Sequence, residues 1–339
     1  MNRRILLIGL PLLAAAFFLP EIDFQRVEAQ GPTTLRIATV APDGSSWMKV
    51  FKAWDASLNK ATNGQVRLRF YPGGSQGDER DFVRKMRAGQ MDGAAVTSTG
   101  LGIVVRSVLA LSAPGLIDTY EEMDGVRDVL AADLDREFEA EGYKLLGWGD
   151  VGKTRIFSVH PFAKPSDLKN LRPWAWKDDA IFTEVLNVIG ANPVRLGLPE
   201  VYPGLQTGMI DTVPGSAIAA VSLQWFTKLN YVTKQNSGIL IGATILKKSA
   251  FDALSPEHQA ALLETSKKAH DALAKRIRRD DDEAYKTILA RGLQEVDTDR
   301  HRAEWERVAA EARKRLTGRV YSAQLLKRIE EALAAQRRR

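Results

Sequence analysis

The chain has 339 residues, 45% hydrophobic and 27% charged, too long for one ordinary core and about right for two domains of soluble globular composition. Its formal charge of +6 is modest for that length and partly carried by the terminal Arg337-Arg338-Arg339; with no basic stripe interleaved with aromatics, nucleic-acid binding is not expected. There are no cysteines, which excludes disulfides, thiolate metal sites and a lipid-modified N-terminal cysteine.

Arg3 and Arg4 precede an apolar run, Ile5–Leu19, interrupted by Pro11. The run is shorter than the ~20 residues a membrane span needs and fits a signal-peptide core. Val27-Glu28-Ala29 offers small residues for cleavage after Ala29, so residues 1–29 are expected to be a signal peptide and the folded part to lie in the periplasm. An uncleaved anchor is the alternative. Leu35–Val40 alternates like a strand, Pro42–Ser46 reads as a turn, and Trp47–Ala61 carries the helical spacing Val50, Trp54, Leu58. Val66–Tyr71 alternates as a second strand, Gly73-Gly74 opens into a helix over Asp78–Ala88, and Asp92–Thr97 reads as a small-residue strand. This order of strands and helices predicts an α/β domain with a largely parallel sheet.

Tyr143–Trp148 is a further predicted strand and Arg155–Val159 begins a second α/β unit. Within that unit, Ser166–Ser216 reads as strand, helix, short strand, helix and strand, with Gly190, Pro193, Gly197, Pro199 and Gly208 at the junctions. Gly238–Ile245 returns as an apolar strand. Ser255-Pro256-Glu257 then caps a long helix reaching Ala290, with Ala260, Leu263, Ala269, Leu273 and Ile277 as its expected buried stripe. Helices over Arg302–Leu316 and Ser322–Ala335 end the chain, and no internal repeat is visible.

Gly147–Thr154 matches G-x-x-x-x-G-K-T, the phosphate loop of nucleotide hydrolases. That loop needs a helix to follow, so that backbone N–H groups and the helix dipole face the phosphates. Here Arg155–His160 alternates like a strand and meets Pro161, so a strand-to-strand crossover is expected instead. His160, His258, His270 and His301 are scattered and make no metal-ligand spacing, and no Gly-x-Ser-x-Gly elbow occurs. The acidic run Asp280–Glu283 reads as a solvated helix face. No catalytic, metal or cofactor site is expected, and the chain does not read as an enzyme.

Three stretches, APDGSSWMKVFKAWDASLNKATNGQVRLRFYPGG, GDERDFVRKMRAGQMDGAAV and DLKNL…NPVRLGLPEVYPGLQTGMID, occur in an order and spacing similar to those of TRAP-transporter substrate-binding proteins. The resemblance covers nearly the whole chain after residue 29. It implies an α/β, two-lobe periplasmic-binding-protein fold with a hinge and a long lobe-spanning helix. The implied domains are 33–151 plus 241–279 for the first lobe, 152–240 plus 280–325 for the second, and 326–339 as a helix end and basic tail. It further implies a receptor that closes over a small ligand, usually a carboxylate, and delivers it to membrane permease subunits.

By the same resemblance, Arg155 in GKTRIFS takes the place of the family's first cleft arginine. The second, after the DLKGL-like turn, is replaced by Trp174, with Arg172 two residues earlier as a displaced candidate. Val213-Pro214-Gly215 stands where an acidic-amide pair is usual, and Thr97-Ser98-Thr99-Gly100 where a charged pair is common. A planar guanidinium suits a carboxylate, and its loss leaves an unpaired buried carboxylate costing several kcal/mol. An alkyl chain instead gains ~0.8 kcal/mol per buried CH₂. The expected ligand-binding residues are therefore Arg155, Trp174, Trp176, Thr97, Ser98, Gly215, Trp47, Trp148 and Phe157, around an apolar or amphipathic ligand. The alternative is a small organic acid clamped by Arg155. The pattern is also similar to the family branch that works with a periplasmic tetratricopeptide-repeat partner.

Overall fold

The computed structural model describes residues 31–338; the expected signal segment, residues 1–29, lies outside them. Eleven strands are described. In chain order they are β1 Thr33–Thr39, β2 Val66–Tyr71, β3 Gly93–Thr97, β4 Tyr143–Lys153, β5 Arg155–Ser158 and β6 Trp174–Trp176. Then come β7 Val194–Leu196, β8 Thr212–Gly215, β9 Tyr231–Thr233, β10 Ile239–Lys247 and β11 Gln294–Val296. They form a five-stranded sheet ordered β2-β1-β3-β10-β4, a four-stranded sheet ordered β11-β9-β5-β8, and the pair β6-β7. One sheet in each half gives the two-lobe α/β architecture.

The first sheet is mixed rather than largely parallel. β1 pairs parallel with β2 and β3, but β10 is antiparallel to both β3 and β4. The cause is topological. β10 arrives directly from the second sheet through Lys234–Gly238, with no crossover helix to turn it parallel. The other passage between the sheets is Thr154, between β4 and β5. The two passages hold each other: Thr154 N–H donates to the Gly238 carbonyl at 2.9 Å, and Ser237 N–H to the Thr154 carbonyl at 2.8 Å.

The third passage is the helix Pro256–Ala290, capped by Ser255, whose hydroxyl accepts from His258 N–H. It packs on the helix Ser46–Ala61 and β4 of the first lobe and on the helix Ala217–Ser222 of the second. Its buried face is Leu262, Ser266, His270, Leu273, Ile277, Asp281, Ala284 and Ile288. Leu273 and Ile277 lie on the expected stripe, but Ala260 and Leu263 are exposed. The stripe contains polar residues that a count of apolar spacing passes over. Ser266 Oγ donates to the Leu146 carbonyl at 2.7 Å, and His270 sits beside Thr244.

Asp281, expected in solvent, is 2% exposed. Its carboxylate accepts from the N–H groups of Lys153 at 2.9 Å and Ile218 at 3.0 Å. It thereby ties the end of β4 and the first turn of the Ala217–Ser222 helix to the long helix. Gly152 adopts φ +121°, and a Cβ there would lie 2.7 Å from Asp281 Cγ, so only glycine fits the turn at this junction.

Candidate functional site

A cavity of about 930 Å³ lies between the lobes. On the first-lobe side its wall includes Trp47, Phe51, Thr97 and Ser98; on the second, Trp174, Trp176, Gly215 and Trp225. Thr97 ends β3 and caps the helix Ser98–Val104, its hydroxyl accepting from Thr99 N–H at 3.2 Å. The expected polar strand end is thus a helix start. Trp47 stands in the first turn of the helix Ser46–Ala61, after the Ser45 cap, and its indole N–H donates to the Asp150 carbonyl at 3.2 Å. Trp174 is 3% exposed and its indole N–H donates to the Leu196 carbonyl at 3.1 Å. Its ring meets Trp225 edge-on, centroids 5.6 Å apart, and lies 6.0 Å from Trp176. These are geometries that stabilise aromatic clusters beyond the area they bury.

Three of the expected site residues stand outside the wall. Successive strand residues face opposite sides, and in β5 it is Ile156 that lines the cavity. Arg155 and Phe157 point the other way. Phe157 is fully buried in the core. Arg155, 8% exposed, donates to the Thr233 carbonyl at 2.8 Å and to the Lys234 carbonyl, and lies 3.9 Å over the Tyr285 ring. Its guanidinium joins β5 to the passage after β9. Trp148 packs against the first-lobe core with Arg127 5.4 Å over its ring. Arg172 pairs with Asp211 at 3.1 Å and is likewise absent from the wall.

Sequence reading missed Glu79. It stands one residue after the Asp78 cap, is 1% exposed and belongs to the wall. Its carboxyl accepts from Thr97 N–H at 2.7 Å, Thr97 Oγ at 2.9 Å and Gly100 N–H at 2.7 Å. Burial nonetheless pushes its pKa up to about 8, the donors opposing less strongly. A Cβ at Gly100 would fall 2.8 Å from a Glu79 oxygen, so the glycine permits this contact. Asp150, 1% exposed, is neutralised by Arg127 at 2.8 Å and Arg278 at 2.7 Å. Across the cleft, Asp78 accepts from the Trp176 indole at 2.8 Å and Leu198 N–H at 3.1 Å, and Arg80 pairs with Asp178. These contacts join the lobes away from the hinge.

The Gly147–Thr154 match carries no phosphate chemistry. β4 runs through Lys153 and β5 begins at Arg155, so no helix follows. Lys153 Nζ pairs with Asp282 at 2.8 Å. Lys153→Ala is expected to shift stability by less than about 1 kcal/mol, since the pair is partly exposed. Calorimetry should show no ATP binding to wild type or variant; micromolar affinity lost in the variant would overturn this.

Two lobes joined by three passages thus enclose a ligand-sized cavity. The chain belongs to the bacterial extracellular solute-binding protein family 7, whose model matches residues 37–318. It is 26% identical over 254 residues to the 2,3-diketo-L-gulonate-binding periplasmic protein YiaO of Escherichia coli, covering 73% of this chain and 76% of that one. It is 24% identical over 315 residues to the C4-dicarboxylate-binding periplasmic protein DctP of Rhodobacter capsulatus, covering 91% and 92%. Its fold matches the Bordetella pertussis solute receptor DctP7, which binds pyroglutamic acid, with a TM-score of 0.82 at 19% identity over 89% of this chain and 99% of that one. The sugar-acid-binding protein DctPAm of Advenella mimigardefordensis, in complex with galactonate, matches with a TM-score of 0.85 at 16% identity over 90% and 99%.

Proposed function

We propose that this protein is the extracytoplasmic receptor of a TRAP-type transporter for an organic acid with an apolar body, and delivers it to membrane permease subunits. The aromatic wall of Trp47, Trp174, Trp176 and Trp225 carries the apolar part of this reading. The acid part is supported by the relatives and fold neighbours, named for diketogulonate, C4-dicarboxylates, pyroglutamic acid and galactonate; they speak against a ligand without a carboxylate. The burial of Arg155 against main-chain carbonyls speaks against that residue as the clamp. A tetratricopeptide-repeat partner rests on the apolar cleft alone.

Binding works by closure: contacts to both lobes shift the population toward the closed form. Mass spectrometry of small molecules extracted from the purified protein is expected to find a carboxylic acid with an apolar remainder. A hydrophilic sugar acid in its place would overturn the apolar part, and a lipid without a carboxyl group the acid part.

A further inference from the structure

With Arg155 committed to the Thr233 and Lys234 carbonyls, an acid in this cleft needs another partner. The described wall contains three guanidinium groups, Arg302, Arg313 and Arg337. Arg302 pairs with Asp299 and Arg337 with Glu122. Arg313 has no carboxylate partner among the described residues; one of its η nitrogens donates to the Pro114 carbonyl. It stands on the helix Arg302–Leu316, where the loop Ser112–Gly115 also walls the cavity. In that loop Ser112 Oγ is buried with no hydrogen-bond partner. Elsewhere on the wall stand Glu79, which burial holds protonated, Asp150, paired with Arg127 and Arg278, and Trp174 and Trp225.

We propose that Arg313 is the carboxylate anchor of this receptor, with Ser112 as a second donor and the ligand's apolar body lying against Trp174 and Trp225. This rests on the organic-acid receptor reading. A guanidinium donating once to main chain keeps an η edge for two carboxylate oxygens, the fork geometry that point-charge ammonium groups lack. The apolar body gains by leaving water, and the acid meets the cation that lacks a carboxylate of its own.

Calorimetric titration of the full chain with octanoate, octanamide and galactonate tests this. Wild type is expected to bind octanoate in preference to octanamide and galactonate. Arg313→Gln should weaken octanoate roughly tenfold to a hundredfold, the range of a hydrogen bond to a charged group, and leave octanamide within about threefold. Arg313→Lys keeps the charge and the stem packing, provides a second folded comparison, and should fall between. Unchanged octanoate affinity in Arg313→Gln overturns the anchor while leaving the receptor reading intact. Binding of galactonate but not octanoate overturns the apolar course of the ligand. Binding of none of the three, with no acid extracted from the purified protein, overturns the receptor reading and the anchor together.

Discussion

Trp174→Arg is expected to abolish ligand binding and to destabilise the protein by roughly 3–5 kcal/mol, the range for losing a large buried side chain or leaving a buried charge uncompensated. Trp174 is 3% exposed, so a guanidinium there is desolvated among Trp176, Trp225 and the β6-β7 pair. The indole N–H bond to the Leu196 carbonyl is lost with the ring, leaving that acceptor unpaired unless the new side chain reaches it. Trp174→Phe keeps most of the ring area and loses chiefly that hydrogen bond, about 1–2 kcal/mol. Intrinsic fluorescence during titration, at a temperature well below each variant's melt, separates binding from stability. Arginine at this position binding the extracted ligand as tightly as wild type would remove Trp174 from the site.

The elements that sequence placed well are those with a strong local signal. The long helix from Pro256 carries its own Ser255 cap, and the helix Arg302–Leu316 has the bounds its spacing predicted. What sequence missed depends on partners far along the chain. Glu79 reads as an ordinary first-turn acid of an amphipathic helix until β3 brings Thr97 and Gly100 against it. Asp281 reads as solvated because its neighbours Asp280, Asp282 and Glu283 are acidic; its partners are main-chain N–H groups of Lys153 and Ile218, which leave no trace in side-chain pattern. Thr119-x-x-Glu122, a capping box legible in the sequence, opens the helix Tyr120–Ala140.

The misplacement of Arg155 and Phe157 has a single cause. Both are expected in the cleft, and period-2 alternation does put them on one face, but the cleft takes the other face through Ile156. Family correspondence located the strand and not the direction of its side chains. The same alternation in β6 puts Trp174 and Trp176 together, and there both reach the cavity. Arg313 has no local signature at all, lying in the run Ala312-Arg313-Lys314-Arg315. What distinguishes it is its place on the cavity wall, which neither Lys314 nor Arg315 shares, Arg315 pairing with Glu311 and Glu184 instead.

Two buried groups, His270 and Glu79, should contribute to the pH dependence of stability with opposite sign. Burial also raises the carboxyls of Asp179 and Asp281, which add to the side of Glu79. His270 Nδ1 lies 2.8 Å from the Ser266 carbonyl, which can only accept, so Nδ1 carries the proton and Nε2 accepts from the Thr244 hydroxyl at 2.9 Å. Burial, with Trp54 edge-on at 5.2 Å, lowers the imidazole from its ordinary 6.5 to about 4. The unfolded chain therefore binds a proton that the folded one refuses. The His270 contribution is intact above pH 6.5 and is lost as pH falls toward 4, by roughly 3 kcal/mol at ~1.4 kcal/mol per unit. Glu79 acts in reverse. Its pKa is raised from 4.5 to about 8, so its contribution is complete below pH 4.5 and is lost as pH rises through about 8. Between pH 4.5 and 6.5 the two partly cancel, and wild type should show a shallow profile there. His270→Gln removes the acid-side loss, so its stability relative to wild type should improve as pH falls from 6.5 to 4.5. Glu79→Gln removes the opposing term and should leave a profile that drops more steeply on the acid side than that of wild type. Denaturant unfolding of all three proteins at pH 7.5, 6.5, 5.5 and 4.5 resolves these slopes. Three parallel profiles would show that neither group is held in the protonation state its surroundings impose.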